Sequence, residues 1–208
     1  MINTEIINKV LNKSITSNLL FDALDDICSV KPRTLTYCNS EKYLIQALNN
    51  PNVTGIICRK EICLDIETNK AIIESENPGF DFILLHNYYH SKNYNTNLEK
   101  SFIHPGAIIH PTANINELGV IIEDGVTVGP YVVIYPKVTI KKNTSIGAHS
   151  ILGCDDVEAK QSKFGFINTY HDGGLEIEGS CFIGSRVTIE RGVYGKTTLI
   201  GFNTFIAT

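Results

Sequence analysis

Large aliphatic residues recur at every sixth position through the second half of the chain. A helix would repeat about every 3.6 residues and an ordinary strand every 2, whereas a six-residue period is typical of the hexapeptide parallel β-helix. Three hexads should close one triangular coil, with each aliphatic side chain pointing inward and stacking on its equivalents in neighbouring coils. The series, with one-residue slips before Ile122 and Ile200, is Ile103, Ile109, Ile115, Ile122, Val128, Ile134, Ile140, Ile146, Leu152, Ile177, Ile183, Ile189, Ile200 and Ile206.

A second set of residues supports the same coil. Small or β-branched residues follow the aliphatic ones by four positions, where the interior is crowded near a corner, and turn-forming residues fall between the inward positions. The chain also contains 29 Ile among 208 residues, and Ile favours pleated, half-buried surfaces. The small set is Ala107, Ala113, Gly119, Val126, Val132, Val138, Thr144 and Ser150, and the turn formers are Gly125, Pro130, Pro136, Asn143 and Gly147.

The first half of the chain lacks the six-residue period and alternates between helix and strand patterns. We predict an α/β N-terminal domain over residues 1–101, followed by a parallel β-helix over residues 102–208. The predicted elements are a helix in TEIINKVLNKS from Thr4, a strand in RTLTYC from Arg33, a helix in SEKYLIQALNN capped by Ser40, a buried strand in VTGIICRK from Val53 and a helix in NPGFDFILLHNYYH from Asn77.

Composition argues against several functional classes. The net charge is −4 and no basic cluster is evident, which disfavours a nucleic-acid-binding protein. The N-terminal residues lack the apolar block of a signal peptide, and no stretch approaches the roughly 18 apolar residues of a membrane span. The six cysteines form no CxxC pair, so we expect buried, reduced thiols in a cytoplasmic protein and no metal site.

The hexad pattern is interrupted between Leu152 and Leu175, and we predict a loop insert over residues 153–174. A β-helix tolerates insertions at its corners, and loops of this length in compact domains are often functional. The insert combines aromatic and titratable side chains, as a functional loop would. A surface loop that packs on a neighbouring subunit is the alternative, and the two are compatible. These side chains are Phe164, Phe166, Tyr170, His171 and Asp172.

Four segments, in the same order along the chain, resemble the UDP-3-O-acylglucosamine N-acyltransferase (LpxD) family. LTYCNSEKY, from Leu35 to Tyr43, is similar to the family's N-terminal signature, and ENPGFDF is similar to its Asn-Pro-aromatic helix start. GCDDVEAKQSKFGF is similar to the family's insert, and GSRVTIERG to one of its coils. The pairing of this N-terminal signature with this insert is more specific than the hexads, which many acyltransferases share.

The resemblance implies a fold and an activity. The implied fold is a left-handed parallel β-helix in a cytoplasmic homotrimer. The implied reaction moves an acyl group from the phosphopantetheine thioester of acyl carrier protein to the amine of a UDP-linked amino sugar, in lipid A synthesis, with no bound cofactor. Tyr37 and Tyr43 would hold the uracil between their rings. Asn39 or Ser40 would hydrogen-bond its edge, with Lys42 beside them.

The resemblance also implies roles for residues of the insert and for a catalytic base. Phe164, Gly165 and Phe166 match the family's Phe-Gly-Phe, whose implied role is to line the acyl or pantetheine channel. The family's general base is a histidine, which suits proton transfer near neutral pH. That histidine is missing here, because the matching segment runs into Thr208, and we therefore expect a shortened form of a longer enzyme. His171, next to Asp172, is the best remaining candidate for a catalytic base.

Two other functions are compatible with the sequence. The insert continues as INTYHDGG and the chain has no Trp, which departs from the family's pattern. An acetyl-CoA-dependent N-acetyltransferase acting on a nucleotide-linked sugar for surface polysaccharide fits this departure. A catalytically inactive form that only binds nucleotide sugar, or assembles with active subunits, fits the missing histidine.

Overall fold

The computed structural model describes residues 1–63, 66–91, 98–162 and 165–207. The chain divides into two compact units, Met1–Asn93 with Val157–Tyr170 and Tyr94–Asp156 with His171–Thr208. Most of the insert predicted over residues 153–174 therefore makes its contacts with the first unit. Among the described residues, no helix is long and apolar enough to cross a bilayer.

The first unit contains a four-stranded parallel sheet in the order β3-β4-β5-β6. Helices are observed in the three segments predicted from Thr4, Ser40 and Asn77, where they begin at Thr4, Glu41 and Pro78. Ser40 occupies the N-cap position of the second helix, as predicted, but its side chain makes no capping hydrogen bond. The elements are β1 (Ile2–Asn3), α1 (Thr4–Leu11), β2 (Leu20–Phe21), β3 (Ala23–Leu24), β4 (Thr34–Cys38), α2 (Glu41–Asn49), β5 (Val53–Cys58), α3 (Lys60–Cys63), β6 (Ala71–Glu74) and α4 (Pro78–Ser91).

The second unit is a parallel β-helix, as the six-residue period predicts. Its strands form three parallel sheets, β7-β10-β13-β18-β21, β8-β11-β14-β19-β22 and β9-β12-β15-β20. The strands β16 and β17 belong to the first unit. In chain order the strands are β7 (Phe102–Ile103), β8 (Ile108–Ile109), β9 (Asn114–Ile115), β10 (Val120–Ile122), β11 (Thr127–Val128), β12 (Val133–Ile134), β13 (Val138–Ile140), β14 (Ser145–Ile146), β15 (Ile151–Cys154), β16 (Ala159–Ser162), β17 (Gly165–Asn168), β18 (Gly174–Ile177), β19 (Phe182–Ile183), β20 (Thr188–Glu190), β21 (Thr197–Ile200) and β22 (Phe205–Ile206).

The aliphatic residues of the hexads stack from coil to coil. Each pairs in register with the equivalent residue of the next coil, and those of the central coils are buried in one continuous core. Burial of such side chains stabilises a fold by roughly 1.5–3 kcal/mol each. The three stacks are Ile103, Ile122, Ile140, Ile177 and Ile200; Ile109, Val128, Ile146, Ile183 and Ile206; and Ile115, Ile134, Leu152 and Ile189.

The corners of the coil have left-handed backbone conformation. Gly125 and Asn143, two of the predicted turn formers, are themselves corner residues with φ of 69° and 59°. Pro130 and Pro136 instead immediately precede corner residues, Tyr131 and Lys137. In a non-glycine residue this conformation costs about 1–2 kcal/mol. At Tyr131 and Lys137 it persists because the next residue, Val132 or Val138, is fully buried in the core.

Most of the insert forms an antiparallel hairpin, β16 with β17, that packs on α4 in the first unit. Asn77 Nδ2 donates to the Gln161 carbonyl over 3.1 Å, and Asn87 Nδ2 donates to the Asn168 carbonyl over 2.7 Å. Asn87 Oδ1 also accepts from the Tyr170 backbone N–H over 2.9 Å. These bonds tie both strands of the hairpin to one helix.

All six cysteines are free thiols, as expected, but they are not all buried. Cys38, Cys58 and Cys181 are buried, whereas Cys28 is exposed. Burial raises the pKa of Cys38 to about 11, and burial also raises the pKa of Cys58. These two thiols therefore stay protonated at neutral pH and pack as small apolar side chains.

Substituting Gly147 by alanine is expected to lower the free energy of unfolding by about 1–3 kcal/mol, because the coils are too close for a side chain there. A Cβ at Gly147 would lie 2.5 Å from the Gly184 carbonyl carbon and the Ser185 nitrogen. Gly201 is the matched control, because it follows an inward isoleucine as Gly147 does and its Cβ would meet nothing closer than 4.0 Å. Urea denaturation would measure both variants, and equal effects would contradict the argument.

Candidate functional site

A small cavity lies in the first unit at the end of β4. Its volume is about 280 Å³. Ligands of open α/β sheets bind outside the carboxyl ends of the strands, and this cavity has that location. Tyr37, Asn39 and Tyr43, three of the residues that the resemblance assigns to substrate binding, line it, whereas Ser40 and Lys42 do not. The full lining is Asp26, Ile27, Thr36, Tyr37, Asn39 and Tyr43.

Tyr37 lies at the boundary between the cavity and the core. Its ring centroid is 5.0 Å from that of Phe82 in α4, with the rings tilted by 40°. A Cβ at Gly79 would lie 3.2 Å from Tyr37 Cε2, so the absence of a side chain there lets α4 approach the ring. Burial and the neighbouring charge of Glu158 raise the pKa of Tyr37. The phenol is therefore neutral at physiological pH and presents an uncharged aromatic wall.

Tyr43 provides a second aromatic ring from the first turns of α2. Its side chain is 48% exposed, while the adjacent Leu44 is buried in the apolar cluster beneath the helix. Leu44 thus anchors α2 and leaves the ring of Tyr43 accessible to a ligand. Two tyrosines and an amide side chain are an arrangement suited to a planar heterocycle with polar edges.

Sequence reasoning missed three residues of the cavity, Asp26, Ile27 and Thr36. Asp26 and Ile27 follow β3, which has only two residues and gives no recognisable strand pattern. Parallel pairing of β3 with β4 brings them beside Tyr37. Asp26 Oδ1 accepts the backbone N–H of Cys28 over 2.8 Å, and this bond fixes the turn.

Two larger cavities of the first unit have volumes of about 610 and 680 Å³ and share Lys13, Ser75 and Glu76. Both are lined by cations and carboxylates together, and Lys13 Nζ already donates to the Glu74 carbonyl. The cavity of about 680 Å³ is lined by Arg59 and Lys60 together with three glutamates, Glu61, Glu74 and Glu76. With this balance of charge, neither cavity indicates an anionic or a cationic ligand.

His171 is buried in the second unit, with 6% of its surface exposed. Its Nδ1 lies 3.2 Å from the Arg191 carbonyl oxygen, which can only accept, so we assign the proton to Nδ1. Nε2 is then the basic nitrogen, and it has no hydrogen-bond partner among the described residues. The neighbouring Asp172 accepts the Gly195 backbone N–H at its Oδ1 over 2.9 Å.

A cavity of about 390 Å³ in the second unit is lined in part by Asp172 and Gly173, the two residues that follow His171 in the sequence. Lys137 Nζ donates to the Asp172 carbonyl over 2.7 Å, which fixes the chain between the insert and β18. Arg191, whose carbonyl contacts His171, is itself buried, with 3% of its surface exposed. Its Nε is 3.0 Å from Asp155 Oδ1, and its guanidinium carbon is 5.8 Å from the centroid of the Tyr135 ring.

The predicted channel residues lie on the hairpin of the insert. Phe164 falls outside the described residues. Gly165 begins β17 with φ of 111°, a conformation that a side chain would strain. Phe166 lies opposite Gln161 and is 75% exposed. An exposed phenylalanine is available for contact with an acyl chain or another protein, and the channel role stays a prediction.

Comparison with known proteins identifies one part of the chain. Residues 119–154 match the family model of the bacterial transferase hexapeptide, described as six repeats. This segment contains central coils of the β-helix and is therefore a hexapeptide repeat of the transferase type. No curated protein matches the chain.

Among solved structures, one match is a mutant of perosamine N-acetyltransferase from Caulobacter crescentus, in complex with CoA and GDP-perosamine. The identity is 13%, the match covers 76% of this chain and 82% of that one, and the TM-score is 0.20. A TM-score this low does not establish a shared fold.

Proposed function

We propose that the protein is an N-acyltransferase that acts on the amine of a nucleotide-linked amino sugar. The observation that carries the proposal is the cavity lined by Tyr37, Asn39 and Tyr43, in a chain whose second unit matches the transferase hexapeptide repeat over residues 119–154. In this proposal the first unit binds the uracil of a UDP-amino sugar between the two rings. The resemblance to UDP-3-O-acylglucosamine N-acyltransferases supports the same assignment, as well as a left-handed coil and a homotrimer.

The proposed reaction transfers an acyl group from sulfur to nitrogen. The amine nitrogen attacks the thioester carbonyl and forms the C–N bond, the C–S bond breaks, and the nitrogen loses one proton while the thiolate gains one. The products are an amide and a free thiol. The protein has to place amine and thioester together and to accept the proton.

His171 is the proposed base. The carbonyl of Arg191 orients its ring so that Nε2 is the basic nitrogen, which is the arrangement that proton abstraction requires. Because the side chain is largely buried, the proposal requires that the substrate amine, or a water bound to it, reaches Nε2.

Replacing His171 by glutamine is expected to lower kcat by about 10²–10⁴-fold, the usual contribution of a general base. His149→Gln is the matched control, because His149 is exposed and stacks on Tyr131 at 4.9 Å. Thiol release, followed with a thiol reagent over a pH series, measures both variants. Unchanged turnover in His171→Gln would remove this residue from the mechanism.

The proposed donor is the acyl thioester of acyl carrier protein, by resemblance. Acetyl-CoA is the competing donor, in which case the product would be an N-acetylated sugar nucleotide. The test incubates the protein and a UDP-amino sugar with either donor and measures free thiol and amide product. Amide formation with one donor selects between them. Binding of the sugar nucleotide without turnover by either donor would favour the inactive, binding-only form.

A further inference from the structure

Thr36 lines the cavity at the end of β4, and its hydroxyl is buried without a hydrogen-bond partner among the described residues. The residue is fully buried, and Oγ1 has no hydrogen-bond partner among the described residues. Thr34, two residues earlier on β4, is also fully buried, but its hydroxyl contacts Ser29 Oγ over 2.9 Å and donates to the Lys31 carbonyl. A buried hydroxyl without a partner destabilises the folded state, so each such group calls for an explanation, of which a bound ligand is one.

The location of Thr36 makes a ligand the natural partner. Thr36 lines the cavity together with Tyr37, which supplies an aromatic wall, and Asp26, which supplies a carboxylate. A hydroxyl both donates and accepts, whereas a carboxylate only accepts. Together they match the edge of a heterocycle that presents an N–H beside a carbonyl, as N3–H and O4 of uracil do.

We propose that Thr36 is a specificity-determining residue that hydrogen-bonds the edge of the pyrimidine base. This rests on the proposed function, in which the cavity holds the base of a UDP-amino sugar. In the ligand-free protein the hydroxyl is sealed from solvent, so binding includes a rotation about χ1 that turns it to the cavity. The base then forms a hydrogen bond with the Thr36 hydroxyl, which is unpaired in the free protein. Uridine nucleotides therefore bind more tightly than aromatic stacking alone would allow.

The test compares three variants by calorimetric titration with UMP. Thr36→Val keeps the shape of the side chain and removes the hydroxyl, and it is expected to weaken UMP binding roughly five- to tenfold, the loss of one hydrogen bond. Thr36→Ser keeps the hydroxyl and is expected to bind within twofold of the wild type. Thr54→Val is the matched control, because Thr54 on β5 also has a buried, unpartnered Oγ1 and does not line the cavity.

Thermal denaturation without ligand separates a binding role from a structural one. Both valine variants are expected to melt at or above the wild-type temperature, since each removes an unsatisfied polar group. Added UMP should then raise the melting temperature less for Thr36→Val than for Thr54→Val. A lower melting temperature for ligand-free Thr36→Val, or equal UMP affinity for the two valine variants, overturns the proposal.

The two proposals fail differently. If the wild-type protein does not bind UMP, the nucleotide function itself is wrong. If the wild type binds and Thr36→Val binds equally well, the cavity holds the nucleotide without help from Thr36. The second result leaves the proposed function intact and removes only the role of this hydroxyl.

Discussion

Replacing Ile140 by alanine is expected to lower the free energy of unfolding by about 4 kcal/mol. Ile140 is fully buried at the centre of its stack, where it pairs with Ile122 on one side and Ile177 on the other. The neighbouring coils are held by their own hydrogen-bond ladders and cannot collapse into the space left by the lost methyl groups. The variant therefore loses both the transfer free energy and the contacts around the cavity. Urea denaturation followed by far-ultraviolet circular dichroism measures the change.

Ile108→Ala is the matched control for this prediction. Ile108 lies on β8, in another sheet of the same β-helix, and is 69% exposed. Its replacement is expected to change the free energy of unfolding by less than about 0.5 kcal/mol. Similar losses in the two variants would show that the six-residue period does not identify the stabilising residues.

Replacing Tyr43 by alanine is expected to weaken UDP binding by roughly 10- to 100-fold, since stacking of a base on an aromatic side chain contributes about 1–3 kcal/mol. Tyr43 suits this test better than Tyr37. Tyr37 packs on Phe82, so its removal would disturb the core as well as the site. Tyr43 is half exposed, and α2 is held by the buried Leu44 and Ala47, so removing the Tyr43 ring disturbs the core less. Isothermal titration with UDP and UDP-N-acetylglucosamine measures the loss.

Tyr43→Phe distinguishes stacking from hydrogen bonding. The phenylalanine keeps the ring and removes only the hydroxyl, and we expect UDP affinity within threefold of the wild type. Equal losses in Tyr43→Ala and Tyr43→Phe would place the interaction at the phenolic oxygen. Wild-type affinity in Tyr43→Ala would contradict the two-ring arrangement.

The coil unit was predictable in detail because one rule governs all of it. Each inward residue only has to stack on its equivalents, so a fixed six-residue spacing identifies the inward face, the three sheets and their register. The exposed fractions follow the same rule, with Ile122 and Ile140 fully buried and Ile108 exposed. The corner conformations were less predictable, because several fall on residues such as Tyr131 and Lys137 that do not favour positive φ.

The first unit was predictable only in its longer elements. The strands β1, β2 and β3 have two residues each, too few for a periodic pattern. The hairpin of the insert was anticipated only as a loop. Its bonds to α4 join residues more than 80 positions apart, such as Asn87 and Asn168, and no local pattern predicts such a contact.

The sequence alone therefore determined the β-helix, its inward residues and, through the resemblance, Tyr37, Asn39 and Tyr43 as candidate ligand contacts. Only the tertiary structure decided what surrounds them. The parallel pairing of β3 with β4 places Asp26 and Ile27 at the cavity, and the burial of β4 leaves the Thr36 hydroxyl without a partner. Periodicity records which face of an element is buried, whereas a binding site depends on which distant elements become neighbours, and that information is not local.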